Sequence, residues 1–208
     1  MKKGIFISIC LWGAYSSWSG NIPVIVDTDI PTAFPISYGT ELSVSDEPRQ
    51  KKINYKKNTY QYNDFMITPL AEFQVAARVL SSKHYNRGTE SELSPVDLAL
   101  GWGPMSDPEI IEQFSIRQSN RFYYWQTDDF PIPRQDVISH SGNMHLIPTS
   151  PAVEEKMKDV QSGQKVKFKG YLVRVDMDSG WHWVSSLTRK DSGGGACEIV
   201  LVDDLSIM

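Results

Sequence analysis

The sequence predicts a single α+β domain that is mainly β, built on a small curled antiparallel sheet or partial barrel of the OB or SH3 kind. Apolar and polar residues alternate densely between Gly163 and Val202, and Gly170 interrupts that alternation. The chain of 208 residues is long enough for one ordinary domain with extensions. Helical patterns are short and separate the extended segments, so only a few short helices are expected.

The β-rich part of the chain predicts a hairpin and a central strand. Residues 165–176 and 181–187 alternate on either side of an Asp-Ser-Gly turn at 178–180, which is typical of a hairpin. The apolar positions change parity at Gly170, which predicts a bulge or a bend there. The apolar run Glu198–Val202 predicts a final, central strand.

One helix has a clear pattern. Ser150 is a favoured N-cap and is followed by proline at the first helical position. Val153, Met157 and Val160 then form one apolar stripe, and Gly163 ends the helical pattern.

The remaining segments before residue 130 carry weaker patterns. Residues 94–97 have a serine and a proline typical of the start of a short helix, and Pro108 indicates another. Residues 65–85 alternate with a period of two, which favours a strand over a helix. Residues 114–125 are rich in aromatic residues and indicate one further strand.

The N-terminus predicts export from the cell. Lys2 and Lys3 precede a short apolar run with small residues at its end, so residues 1–19 are interpreted as a signal peptide, or as an uncleaved anchor. Residues 20–60 are predicted to be an extended linker, and residues 61–208 the single domain. The expected location is periplasmic or secreted, or inner-membrane anchored if the leader is not cleaved.

Charge and cysteine content exclude several classes of function. The formal net charge is −4 and no long basic block occurs, which disfavours nucleic acid as a partner. Cys10 lies in the leader, so Cys197 is left without a partner for an intramolecular disulfide or a cysteine metal site. Cys197 alternates with Ile199 and Leu201, which predicts a buried thiol. No cofactor is indicated.

The segment Asp191–Gly194 resembles the nucleophile loop of chymotrypsin-like serine proteases. Such chemistry would use Ser192 as nucleophile with His145 or His182 as base. Lys190 replaces the glycine that precedes the family motif, and only 16 residues follow the serine. A turn between strands is therefore the preferred interpretation, and a hydrolase is kept as an alternative.

Two histidines have the spacing of a metal pair but not its geometry. His140 and His145 would point to opposite faces of a strand, and a third ligand would have to come from Asp136 or His182. The preferred interpretation is that Asn143 and His145 bond to buried backbone groups.

Polar and aromatic residues next to turns suggest a binding surface without a complete catalytic set. Its members are predicted to be Trp102, His145, Trp183, Ser185 and Arg189, with the guanidinium as the main donor. A wider aromatic set is interleaved with arginines and would stack on bases or sugars where it is exposed, although most such rings are expected in the core. This set comprises Trp102, Phe122, Tyr123, Tyr124, Trp125, Trp181 and Trp183 with Arg117, Arg121 and Arg174.

Four motifs carry a resemblance: SPVDLALGWG at 94–103, NMH at 143–145, GYLV at 170–173, and SSLTR through GACE at 185–198. With them, the chain resembles an uncharacterised group of bacterial exported or membrane-anchored proteins. The resemblance implies one exported domain and supplies no catalytic residues.

The sequence thus predicts an exported, non-enzymatic binding or structural module of the bacterial cell envelope. Its partner is expected to be an envelope protein or envelope ligand, with membrane contact only through the N-terminal segment. The alternatives are an envelope hydrolase that uses Ser192 and an OB-like nucleic-acid-binding module.

Overall fold

The structure is a computed structural model that describes residues 41–53, 59–191 and 195–208. The predicted leader and most of the predicted linker lie outside these ranges. The strands of the described residues are β1 (Arg49–Lys52), β2 (Tyr60–Tyr62), β3 (Phe65–His84), β4 (Val96–Gly101), β5 (Ser115–Ser119), β6 (Phe122–Gln126), β7 (Ser141–Pro148), β8 (Lys165–Met177), β9 (His182–Val184) and β10 (Glu198–Ile207). The helices are α1 (Thr89–Leu93), α2 (Pro108–Ile111), α3 (Arg134–Ser139) and α4 (Pro151–Lys158), with a 3-10 turn at Gly103–Ser106.

Five strands are paired in a ring, in the order β3, β4, β7, β10, β8 and back to β3. Every pair in the ring is antiparallel except β7 with β10, which is parallel. Strands β1 and β2 extend the sheet beside β3, and β9 extends it beside β8. The sheet is curled without closing as a barrel, and the fold is mainly β with short helices, which confirms the predicted class.

Strand β3 is long enough to take part in two pairings. It pairs with β8 from Phe65 to Arg78 and with β4 from Arg78 to His84. Its register shifts by one residue against β8 after Pro69 and against β4 after Val79, as expected where a strand bends around a curled sheet. The strand predicted for residues 65–85 is confirmed.

The interior of the ring is filled by alternate residues of the five strands. Phe73, Val75, Leu98 and Phe168 are among the fully or almost fully buried side chains of this interior cluster. Helix α4 packs on β7 and β10 and adds its apolar stripe to the same cluster. The Ser150 hydroxyl accepts a hydrogen bond from the Val153 backbone N–H, so the predicted cap and helix are both confirmed.

Gly170 lies within β8 at a point where two strands approach closely. A Cβ atom on this residue would lie 2.0 Å from the Leu201 carbonyl oxygen. The irregularity is on the partner strand, where the register shifts between Val202 and Asp204. The glycine is therefore required by the close approach, and the bulge lies opposite it. The predicted β8–β9 hairpin and the central position of β10 are confirmed.

Two element predictions are wrong. Residues 94–97 do not begin a helix, because Val96 is the first residue of β4. A strand explains the burial of both faces, with Val96, Leu98 and Leu100 in the interior and Asp97 paired across to β7. The single strand predicted for 114–125 is instead the two strands β5 and β6 with a tight turn between them.

The segment predicted as linker contributes to the sheet where it is described. Strand β1 pairs antiparallel with β3. Before it, Leu42 is buried, and the Val44 carbonyl accepts a hydrogen bond from the Gly103 backbone N–H. This part of the chain therefore packs against the domain.

Candidate functional site

The β5–β6 hairpin, which connects β4 to β7 together with its flanking helices, lies over the outer face of the ring. Alternation divides its side chains between two faces. Ile116, Tyr123 and Trp125 pack inward on a cluster that includes Phe114 and Val137. The outward face is exposed, so the hairpin is a half-buried sheet with one apolar side.

The tip of the hairpin is a strained two-residue turn. Asn120 and Arg121 have φ angles of 52° and 66°, the left-handed region that a type I′ hairpin turn requires at both positions. Asparagine adopts this region readily, whereas arginine does so at a cost of about 1 kcal/mol or more. The surrounding contacts must therefore hold Arg121 in place.

A buried ion pair provides that restraint. One terminal nitrogen of Arg121 lies 2.6 Å from Asp97 Oδ1 and also donates to the Ser94 carbonyl at 2.9 Å. The Asp97 side chain is fully buried, and the guanidinium stacks on the Tyr85 ring at 3.9 Å from its centroid. The turn is thus anchored to β4 by charge and to Tyr85 by stacking.

His145 and Trp183 complete this cluster on the outer face. His145 is opposite Asp97 in the β4–β7 register, and its Nδ1 lies 3.0 Å from Asp97 Oδ2. Its ring is 4.6 Å from that of Trp183, measured between centroids. The histidine is 2% exposed, so it has little access to a substrate.

Neutral hydrogen bonds attach the hairpin at further points. Gln118 donates to the Asn143 side-chain oxygen at 2.7 Å, and Asn143 donates to the Arg121 carbonyl at 3.1 Å. The Tyr123 hydroxyl donates to the Ser141 hydroxyl at 3.3 Å. Asn143 therefore bonds the backbone of the hairpin turn rather than backbone around Gly142, and His145 contacts a carboxylate.

The thiol of Cys197 lies at the edge of this network. It is 3.9 Å from the Arg121 carbonyl oxygen and 3.9 Å from the Asn143 side-chain nitrogen. Burial raises the pKa of the thiol to about 11, although the contact with Asn143 lowers it. The thiol is therefore protonated at neutral pH and is a poor nucleophile.

The outward face of the hairpin presents two aromatic rings and a cation. Phe122 and Tyr124 are each 40% exposed, and their centroids are 6.4 Å apart. Arg117 is opposite Tyr124 in the hairpin register, with its guanidinium 4.4 Å from the centre of that ring. We call Phe122, Tyr124 and Arg117 the aromatic platform.

A second buried ion pair lies at the end of the interior. Arg189 Nε is 2.9 Å from Glu198 Oε1, and the same guanidinium donates to the Gln50 side chain of the N-terminal segment. Glu198 Oε2 has no hydrogen-bond partner among the described residues, and it lies against Gly142. Burial raises the pKa of Glu198 to about 7, against the opposing effect of Arg189.

The five predicted binding residues do not form one open surface. Trp102 is fully buried in the interior cluster, and its Nε1 donates to Glu47. His145 lies on the other face of the sheet with Trp183. Ser185 is buried and accepts a hydrogen bond from the Ile199 backbone N–H.

Arg189, the fifth predicted binding residue, is committed to Glu198 and Gln50. The structure thus brings together His145 with Trp183 and leaves Trp102 apart from them. The residues that sequence reasoning missed are Asp97, read as part of a helix, and the turn at Asn120, where asparagine was the only local signal.

The catalytic and metal alternatives involve Ser192 and three histidines, His140, His145 and His182. Ser192 lies outside the described residues. Of its predicted bases, His145 is held by Asp97, and His182 is exposed on β9. His140 lies at the end of α3, where Nε2 is 3.1 Å from Glu47. Within the described ranges, no three His, Cys, Asp or Glu residues are grouped as a metal site would need.

No described helix combines the length and apolarity needed to cross a membrane. Comparison of the chain with protein-family models, with curated proteins and with solved structures finds no match.

Proposed function

We propose that this protein is an exported, non-enzymatic binding module of the bacterial cell envelope, and that it binds through the β5–β6 hairpin. The observation that carries the proposal is the aromatic platform on a hairpin that several buried polar contacts hold in place. Binding to a surface of this kind loses little backbone entropy, because these contacts already hold the hairpin that carries it.

The buried polar residues support binding rather than catalysis. Asp97, His145 and Arg121 resemble a reactive constellation in composition, but their polar atoms contact one another and the backbone carbonyl of Ser94. A general base must reach the proton that it abstracts, and His145 is covered by Trp183 and the hairpin. We infer that this cluster acts as a structural clamp.

The strand order bears on the nucleic-acid alternative. Numbered one to five along the chain, the ring strands are β3, β4, β7, β8 and β10. They pair in the order one, two, three, five, four and back to one, which is typical of OB folds. These folds bind oligonucleotides and oligosaccharides on the face of their second and third strands. Here those strands are β4 and β7, and the hairpin covers that face, so a ligand is expected on the hairpin itself.

A cellular experiment tests this proposal. Cells that make the full-length chain are crosslinked briefly with formaldehyde, fractionated, and scored for chain joined to envelope material. We expect the wild-type chain in the envelope fraction. The double variant Phe122→Ser/Tyr124→Ser should lose most of the crosslinked species. The matched control is Val184→Ser/Leu187→Ser, which changes two other exposed apolar residues. A cytoplasmic location, or equal crosslinking of both variants, would contradict the proposal.

A further inference from the structure

The aromatic platform has the dimensions of a stacking site. Phe122 and Tyr124 are two residues apart on one strand, so their side chains project from the same face at a spacing of about 6.6 Å. The observed centroid distance of 6.4 Å matches this spacing. The rings are tilted by 48° to each other and so form two separate surfaces, and the Arg117 guanidinium lies over one face of Tyr124.

Polar groups surround the two rings in register. Arg117 is paired with Tyr124, Ser119 with Phe122, and the exposed Ser115 with Gln126. Hydroxyl, amide and guanidinium groups next to aromatic faces suit a ligand that has flat C–H faces and many hydroxyl groups. Pyranose rings have this combination.

Charge separates this ligand from a nucleic acid. The segments that enter and leave the hairpin carry five exposed acidic residues: Asp107, Glu109, Glu112, Asp128 and Asp129. The exposed cations of the same region are Arg117 and Arg134. A polyphosphate backbone needs a continuous basic groove beside its stacking rings, and these carboxylates would repel it. An uncharged glycan chain meets no such repulsion.

We infer that the aromatic platform binds a glycan strand of the envelope, with consecutive sugar rings stacked on Phe122 and Tyr124. Arg117 is held over Tyr124 and donates hydrogen bonds to sugar hydroxyl or amide oxygens beside that ring. The inference rests on the proposed function and adds the chemical class of the ligand.

Purified full-length chain is titrated with a chito-oligosaccharide by calorimetry, and is sedimented with peptidoglycan sacculi before and after an amidase removes their stem peptides. We expect binding to the oligosaccharide and to both forms of sacculi. Phe122→Ala and Tyr124→Ala should each weaken binding by about tenfold or more, since one stacked ring contributes about that much. Tyr124→Phe keeps the ring and should bind within about twofold of wild type.

Val184→Ala is the matched control, and thermal unfolding by circular dichroism checks that every variant is folded. The inference is overturned by failure to bind either glycan, by binding that both ring variants retain, or by binding that is lost with the stem peptides. Tighter binding to an oligodeoxythymidine than to the chito-oligosaccharide would assign the platform to nucleic acid and would also overturn the inference. Hairpin-dependent crosslinking in cells without glycan binding would leave the proposed function standing and remove only the ligand class.

Discussion

Replacement of Glu198 by glutamine should remove a pH-dependent cost of folding that the wild-type chain carries at neutral pH. The Glu198 residue is 2% exposed, and one of its carboxyl oxygens has no hydrogen-bond partner among the described residues. Burial raises its pKa from 4.5 to about 7, although the ion pair with Arg189 lowers it. Loss of solvation therefore outweighs the ion pair.

The direction of the effect follows from proton binding. Between pH 4.5 and about 7, the folded chain holds the Glu198 proton while the unfolded chain has largely released it. The free energy of unfolding therefore falls as the pH rises through this window, and the cost is fully present above it. At about 1.4 kcal/mol for each pH unit, the pKa difference corresponds to about 3 kcal/mol.

Urea unfolding of wild type and Glu198→Gln, measured below pH 4.5, within the window and above pH 7, isolates this contribution. Other titrating groups are common to both chains and cancel in the difference. The free energy of unfolding of Glu198→Gln, relative to that of the wild type, should rise by about 3 kcal/mol from the lowest to the highest pH. Val184→Ala, at an exposed residue that does not titrate, is the control and should show no such movement. A difference that stays constant for Glu198→Gln would refute the reasoning.

Three further predictions concern the clamp, the sheet and the thiol. Arg121→Ala leaves Asp97 buried without its main partner, so unfolding should require about 3 kcal/mol less free energy by urea titration, and Arg121→Lys should not restore it. Gly170→Ala should prevent folding, because its Cβ would meet a carbonyl oxygen at 2.0 Å. Gly180→Ala, with φ 87° and open space around it, should cost only about 1 kcal/mol and fold with the wild-type circular dichroism spectrum. Cys197, with its pKa raised to about 11, should be alkylated at pH 8 at least about tenfold more slowly in the folded chain than in urea, measured by peptide mass spectrometry.

Each of these three predictions has a result that would contradict it. A fully stable Arg121→Ala would mean that the ion pair adds nothing to the hairpin. Normal folding of Gly170→Ala would show that β8 and β10 separate easily at that point. Equal alkylation rates in folded and unfolded chains would place the Cys197 thiol in solvent.

Local patterns were sufficient to predict the elements that alternate or repeat over many residues. The period of two in β3 and β8 and the capped stripe of α4 each extend over several residues, so one atypical position does not hide them. The sequence predicted a bulge or a bend at Gly170. The structure shows that a glycine is required there because β10 approaches closely, and that the bulge is on β10. These elements define the curled sheet.

The candidate site was harder to predict because it depends on contacts between distant residues. Asp97 follows a serine and a proline that locally favour a helix start, and only the partners on β7 and the hairpin make it part of a strand. The turn formed by Asn120 and Arg121 does not contain the glycine of a common hairpin turn. The ion pair with Asp97 offsets the strain of an arginine with positive φ, so the turn forms without that glycine. Aromatic residues on β6 were recognised, but the turn decides which of them are exposed.

The two faces of the hairpin therefore depend on each other. A hairpin alone is marginally stable in water, so Phe122 and Tyr124 would not keep one orientation without the ring beneath them. The buried polar contacts fix the register in which the hairpin docks, since a slip of one residue would exchange its inward and outward side chains. Buried charge adds little stability compared with apolar packing, but it does select one geometry. In this protein, that geometry keeps two aromatic rings and one arginine on the exposed side.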